Sequence, residues 1–183
     1  VEEDEPVVIV LDNGLIAWVS QEDEDIVDYG WKAKSAGKTY TPAYYAYFSY
    51  KIGGVQIETY LHNMIWERMM DVDDVPRGFL IDHINKDKLD NRRSNLRLAT
   101  RSDNEANKGK RRGNTTSKYK GVTKINDGRK KCWRVSITVE TKQVKVGTFY
   151  DEKDAARAYN EAALEQWGEF ASLNDVEDKE CLD

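Results

Sequence analysis

Apolar and polar positions change period along the chain, from two to 3.6 and back, in short blocks. Residues 7–11, VVIVL, have the length of a buried strand. Asp12-Asn13-Gly14 signals a turn, and residues 15–19, LIAWV, predict a second strand and so a hairpin. Gln21 and the acidic run 22–25 lead into Ile26, Val27, Tyr29 and Trp31, which predicts a short helix with its acids on a solvated face. Tyr40, Tyr44, Tyr45, Tyr47, Phe48 and Tyr50 crowd the next segment. Gly53-Gly54 then turns the chain into residues 55–60, VQIETY, whose alternation predicts a strand. The pair reads as a hairpin whose tyrosines pack a small sheet. Leu61, Ile65 and Met69, with Met64 and Trp66, recur at helical spacing, and Pro76-Arg77-Gly78 is a turn. His62, at the start of that helix, is expected to cap or pack.

Phe79, Leu80 and Ile81 predict a strand that delivers Asp82 and His83 to its end. Asn85, Asp87, Asp90 and Asn91 are turn formers in a polar loop. Residues 95–100, NLRLAT, predict a short strand with Leu96 and Leu98 inward. Ser102-Asp103-Asn104-Glu105 matches a capping box, which makes Ser102 the N-cap and puts Asn104 in the first helical turn.

Residues 109–117, GKRRGNTTS, form a polar linker that carries Lys110, Arg111 and Arg112. Beyond it, residues 119–123 predict a strand and Asn126-Asp127-Gly128 a hairpin turn. Residues 132–140 alternate strictly. Trp133, Val135, Ile137 and Val139 point one way; Cys132, Arg134, Ser136, Thr138 and Glu140 point the other. Val144 and Val146 are expected on the apolar face, Gln143 and Lys145 on the polar one. Asp151 caps a helix whose Ala155, Ala156, Ala158, Tyr159, Ala162, Ala163 and Trp167 form one stripe. By alternation Trp133 belongs to the core.

The fold class is therefore α+β. A small β-rich region spans 1–60, a strand–loop–strand–helix unit 61–108 and a basic linker 109–117. A three-stranded antiparallel sheet on one helix spans 118–174, and an acidic tail expected to be disordered spans 175–183.

Composition refines this picture in three places. With 183 residues the chain has room for one medium domain or two to three small ones. No run approaches the ~18 apolar residues of a membrane span, and no signal segment opens the chain; the expected setting is soluble and cytoplasmic. Cys132 and Cys181, even with the two histidines, make neither a structural zinc site nor a disulfide framework. The net charge of −5 would argue against a nucleic-acid partner, but the charge is segregated. Residues 1–30 hold ten acids and no Lys or Arg, whereas residues 108–134 hold eleven Lys or Arg and one acid, Asp127. A basic belt between acidic ends fits a chain whose middle faces phosphate.

The stretch from Asp82 to Lys108 carries the candidate chemistry. A carboxylate (Asp82) and an amide oxygen (Asn104) are hard ligands of the kind magnesium takes. His83 can take a proton from an attacking water near neutral pH. The Asn95 amide can bond backbone near His83 across the strand pair. DHINKDKLDNRRSNLRLATRSDNEANK, residues 82–108, resembles the HNH nuclease motif in its His-Asn-Asn form, the ββα-metal finger of phage and intron homing endonucleases. That resemblance implies Asp82 and Asn104 as ligands of Mg2+ or Mn2+, His83 as general base, Asn95 as the orienting residue, and Arg92, Arg93 and Arg97 as phosphate contacts.

The last segment, from YKGV through VKVGTFYDEKDAARAYNEAA to FASLN, resembles the ethylene-responsive-factor (AP-two) DNA-binding domain. Gly121, Gly147, Phe149, Ala155, Ala156, Ala158, Tyr159 and Asn174 carry its scaffold. Plant members read DNA with several arginines and tryptophans; the matching places here hold Lys120, Thr123, Ser136, Thr138, Gln143 and Lys145, beside Arg134. Binding of double-stranded DNA is implied, the plant target sequence is not. The expectation is a site-specific, homing-type endonuclease acting as a monomer, in the host cytoplasm if phage-encoded. The alternatives are a DNA-binding regulator with a silent finger and a structure-selective junction nuclease.

Overall fold

The apolar blocks at the start of the chain pair as their alternation requires. In the computed structural model, which describes residues 5–37, 43–110, 115–126, 128, 130 and 132–176, β1 (Val7–Val10) and β2 (Ile16–Val19) form an antiparallel hairpin. Its turn uses Asn13, whose Oδ1 accepts from the Leu15 amide, and Gly14 at φ 81°. Ile9, Ala17 and Val19 are fully buried, and Val8, Val10 and Ile16 are exposed on the other face. Residues 1–4, Tyr40, Arg111, Arg112, Asp127, Cys181 and the tail from 177 onward lie outside the described residues. The chain forms two compact units, Val1–Thr100 and Arg101–Asp183.

In the first unit the acidic block becomes a 3-10 helix, Gln21–Ile26. The solvated face expected there is corrected at Asp23, which is fully buried. Arg93 Nε and Nη2 donate to its two carboxylate oxygens at 2.7 and 2.8 Å, and Arg68 Nε lies 3.1 Å from one of them. A carboxylate can be buried here only because two guanidiniums pair it. Next, β3 (Lys32–Ser35), β4 (Tyr44–Ile52) and β5 (Val55–Tyr60) make a three-stranded antiparallel sheet in the order β3-β4-β5. Nothing in the Lys-Ala-Lys-Ser sequence of β3 alternates strongly enough to announce a strand; it is recruited by the edge of β4. α1 (Leu61–Met70) follows without a loop. Leu61 and Ile65 are fully buried on its inner stripe, each contributing about 1.5–3 kcal/mol. They share one core with Ile9, Leu11, Val19, Ile26, Trp31, Ala46, Trp66, Ile81 and Leu96. β6 (Phe79–His83) and β7 (Leu96–Thr100) then pair antiparallel, with Asp82 opposite Arg97 and His83 opposite Leu96.

The second unit opens with α2 (Arg101–Asn107). Its helical register starts directly after Thr100, so Ser102 lies inside the helix, not at its N-cap, and Asn104 is the fourth helical residue. The capping-box reading is corrected by two positions. β8 (Val122–Lys124), β9 (Trp133–Val139) and β10 (Lys142–Phe149) form an antiparallel sheet in the order β10-β9-β8, and α3 (Glu152–Trp167) lies on one face. Asp151 Oδ1 caps α3 by accepting from the Lys153 and Asp154 amides at 2.7 and 3.1 Å. Ala155, Ala156, Tyr159 and Ala163 bury against Val122, Val135 and Ile137.

Gly121 explains the YKGV segment. At φ 73° it lies so close to the Tyr159 ring that a Cβ would sit 2.1 Å from it. Asn174 closes the unit: its Oδ1 accepts from the Lys120 amide at 2.6 Å, and its own amide donates to Asn160 Oδ1 at 2.7 Å. Val144 pairs with Ile137 and so lies on the expected face, although it is exposed there; the expectation is corrected at Val146, which is exposed and unpaired. A bulge between Lys145 and Gly147 leaves Val146 without a register partner and breaks the alternation.

Candidate active site

The end of β6 presents Asp82 and His83 side by side, both buried. The loop that follows is tied to β2. Trp18 N donates to Leu89 O at 2.8 Å, and Asn91 N donates to Trp18 O at 2.7 Å. This pairing drives Asn91 into the interior, where it is fully buried. Asn91 Nδ2 donates to Leu89 O at 3.0 Å, which turns its Oδ1 toward His83 Nε2 at 3.2 Å. An amide oxygen only accepts, so Nε2 carries the ring proton and Nδ1 the lone pair of the neutral ring. Burial holds the His83 pKa below its ordinary value, against the opposing pull of Asn91 and Asp82. The imidazole is therefore neutral at pH 7.

Asn95 organises the same loop from the other strand. Its Nδ2 donates to Asp90 O at 2.7 Å and to Asn85 Oδ1 at 3.0 Å, and its Oδ1 accepts from the Asn85 amide at 3.0 Å. Its carbonyl also accepts from Ile84 N at 2.9 Å. The backbone just beyond His83 is thus stapled to the start of β7.

Arg92, Arg93 and Arg97 each pair with a carboxylate. Arg97 Nε and Nη2 both donate to Asp82 Oδ2, at 3.0 and 2.9 Å, across the strand register. Arg92 Nε and Nη2 donate to the two Asp90 oxygens at 2.8 Å each. Burial pushes the Asp90 carboxyl up, but the Arg92 and Asn85 hydrogen bonds outweigh it and hold the pKa below the usual range. Arg93 is bidentate to Asp23, and that contact raises its own pKa.

Residues from the tyrosine-rich sheet line the histidine. The Tyr45 and His62 ring centroids lie 6.4 and 5.3 Å from that of His83. Lys88 Nζ donates to Tyr45 Oη at 2.5 Å and stands 4.2 Å above the Tyr45 ring. Among the described residues no three His, Cys, Asp or Glu side chains converge as a metal cage. No helix among them is long and apolar enough to cross a membrane.

In the second unit Asn104 stands half-buried on α2. The sheet face away from α3 carries Thr123 opposite Arg134, Ser136 opposite Lys145, and Thr138 opposite Gln143. Thr123, Arg134, Thr138, Gln143 and Lys145 are exposed, and Gln143 Nε2 donates to Ser136 Oγ at 2.9 Å. Lys120 stands apart from this set. Its Nζ donates to the carbonyls of Ala106 and Lys108, each at 2.6 Å. Lys110 is half-buried.

Two comparisons with known proteins bear on this geometry. The HNH endonuclease family matches residues 59–106, from the end of β5 through most of α2. An uncharacterized HNH endonuclease of Acanthamoeba polyphaga mimivirus is 35% identical over 167 residues, which are 90% of this chain and 77% of that protein. The chain belongs to the HNH endonuclease family. Protein 3.8 of Escherichia phage T7 is 34% identical to this HNH endonuclease over 82 residues, 45% of the chain and 64% of the phage protein. An AP2/ERF and B3 domain-containing protein of Oryza sativa subsp. japonica is 44% identical over 59 residues, 32% of the chain but 15% of the plant protein. No solved structure matches significantly.

Three residues of the endonuclease site had no sequence signal for a role beside His83. Asn91 reads as a turn former, Lys88 as loop charge, and Tyr45 as one tyrosine among many. Only the β2–loop pairing and the fold of the sheet bring them to the histidine.

Proposed function

We propose that this HNH endonuclease hydrolyses phosphodiester bonds of double-stranded DNA at a specific site, as homing-type nucleases do, with His83 as general base. The observation that carries the reading is His83 at the end of β6, its Nε2 hydrogen bonded to Asn91 and its neighbour Asp82 buried beside it. In that arrangement the Nδ1 lone pair takes a proton from the attacking water, whose oxygen then bonds to phosphorus as the bond to the leaving 3′ oxygen breaks. Asn95 keeps the base in place by fixing the loop that follows it. Arg97 orients the Asp82 carboxylate by donating to Oδ2.

The donor chemistry fits a hard divalent cation such as Mg2+ or Mn2+. Asp82 offers a buried carboxylate of the hard oxygen type such an ion takes, and the resemblance to the His-Asn-Asn motif would add the amide oxygen of Asn104. When bound, such an ion would stabilise the negative charge that develops on the phosphate and the leaving oxygen.

The basic belt and the second-unit sheet supply the DNA contacts in this reading. Arg134, Lys145, Gln143, Ser136, Thr138 and Thr123 lie on one twisted face, the size of element that enters a major groove. The partial similarity to a plant AP2/ERF protein supports the same assignment. Lys110, Arg111, Arg112 and Lys120 add backbone contacts along the linker side, and Arg92, Arg93 and Arg97 do so on the finger. One finger per chain suits a monomer that cuts one strand at a time.

The test is incubation with supercoiled plasmid bearing candidate sites, with Mg2+, with Mn2+ and with excess chelator. Metal-dependent open circles are expected, and linear product would instead show double-strand cutting. Equal cleavage in chelator would overturn the metal-assisted reading, and faster cutting of branched DNA than of any linear site would overturn the site-specific one.

A further inference from the structure

The cations around His83 differ in how their charge is spent. Arg92, Arg93 and Arg97 face the carboxylates of Asp90, Asp23 and Asp82. Lys88 does not: among the described residues no carboxylate pairs with its ammonium. Its Nζ donates instead to Tyr45 Oη at 2.5 Å and stands 4.2 Å from the centre of that ring. An ammonium carries three N–H donors, so two are left for solvent or a ligand. The Tyr45 hydroxyl accepts from Lys88, and its own proton has no acceptor among the described residues. Both side chains are half-buried. An ammonium and a phenol O–H side by side, each with a donor to give, suit the oxygen of an anion.

The pair also stands beside the base. The Tyr45 and His83 ring centroids are 6.4 Å apart. The Lys88 charge is felt at both His62 and His83, where it opposes a second positive charge. The loop holds Lys88 in this place from both sides. Asp87 N donates to Asn85 Oδ1 at 2.8 Å, and Asp87 Oδ1 accepts from the Leu89 amide at 3.0 Å. Leu89 O in turn accepts from Trp18 N in β2. Tyr45 is fixed in β4, opposite Lys34 of β3. Donors set before the substrate arrives need no reorganisation as charge develops, which is where electrostatic stabilisation is strongest.

We propose that Lys88 is a further catalytic residue: with the Tyr45 hydroxyl it donates to a non-bridging oxygen of the scissile phosphate and stabilises the negative charge that grows there. Neither group gives up its proton. The inference rests on His83 acting as the base on that same phosphate.

The test compares the natural chain with Lys88→Met, Lys88→Arg, Tyr45→Phe and His83→Ala. Two quantities are read: the single-turnover rate of plasmid nicking at saturating protein in Mg2+, and the salt dependence of affinity for a labelled duplex, by anisotropy in excess chelator. Lys88→Met keeps the length and removes the charge. It should lose on the order of 10²-fold in rate, the scale of one lost donor at a developing charge. It should also lower the salt slope by about one ion, which a merely packed lysine would not do. Lys88→Arg keeps the charge and should recover the rate to within about tenfold, with the natural slope. Tyr45→Phe should lose roughly three- to tenfold in rate, the scale of one neutral hydrogen bond, and leave the slope unchanged. Should Lys88→Met unfold, Lys88→Gln supplies the same comparison. A folded Lys88→Met or Lys88→Gln that cuts at the natural rate, one that cuts slowly with the natural slope, or a Lys88→Arg no better than either, overturns the proposal. If His83→Ala cuts as fast as the natural chain, the base assignment fails, and the Lys88 variants still decide the phosphate contact by the same two readings. If the natural chain cuts nothing, the nuclease reading and the catalytic role of Lys88 fail together.

Discussion

Asn95 is the residue whose removal should report most directly on how the finger is built. Its side-chain amide makes three hydrogen bonds, to Asp90 O at 2.7 Å, to Asn85 Oδ1 at 3.0 Å and from Asn85 N at 3.0 Å. The residue is 6% exposed, so water cannot replace these partners. At about 1 kcal/mol net per bond, with a further penalty for polar groups left stranded, Asn95→Ala should cost about 3–4 kcal/mol. For a unit of this size that corresponds to a fall of roughly 12–30 °C in the melting temperature. Asn95→Asp is the sharper variant. It keeps the shape but turns the Nδ2 donor into an acceptor facing Asp90 O and Asn85 Oδ1, so it should be at least as destabilising as Ala. Urea unfolding followed by tryptophan fluorescence gives both values, with Trp18 on the strand that braces the loop. A loss below about 1 kcal/mol for Asn95→Ala, or an Asn95→Asp milder than Ala, would refute the view that this amide staples the loop after His83.

Other expectations concern different parts of the chain. Gly121→Ala should unfold the second unit or leave it soluble only in part, because the new Cβ meets the Tyr159 ring at 2.1 Å and Ser136 O at 2.8 Å; circular dichroism melts of the variant check this. Lys145→Ala and Arg134→Ala should each weaken DNA binding by about 1–3 kcal/mol where they read a base, or lower the slope of affinity against salt by about one ion where they meet phosphate. His62 should make stability depend on pH. Its folded pKa of about 3 lies below the ordinary 6.5, so the unfolded chain binds the proton first. Its contribution is whole above pH 6.5 and shrinks as pH falls toward 3, by about 1–2 kcal/mol between pH 6.5 and 5. His62→Phe should remove that part of the slope in denaturant titrations at several pH values.

Much of the fold is legible in the chain because local rules agree with the final packing. The Asn13-Gly14 turn, the strict alternation of residues 133–139, the Asp151 cap and the alanine stripe of α3 each name their element without tertiary help. The candidate base and its orienting asparagine are legible for a similar reason: turn formers and two short apolar runs fix the strand–loop–strand order, and the strands then bring residues 82–83 opposite 96–97. What stays hidden depends on partners far away in sequence. Asp23 looks like surface charge until Arg93, 70 residues on, arrives to bury it. Asn91 looks like a loop residue until β2 pulls the loop inward. The bulge at Val146 is invisible because Gly147 must back onto Phe149, where a Cβ would meet the ring at 2.9 Å, and no alternation pattern carries that information.

The central claim is that His83 performs the chemistry and does not hold the DNA. Binding and cleavage of one labelled duplex by the natural chain and by His83→Ala, measured side by side in Mg2+, test it most directly. The account predicts equal affinity, with cleavage by His83→Ala lowered by 10²-fold or more, on the order of a lost general base. Cleavage retained by His83→Ala at the natural rate would contradict it.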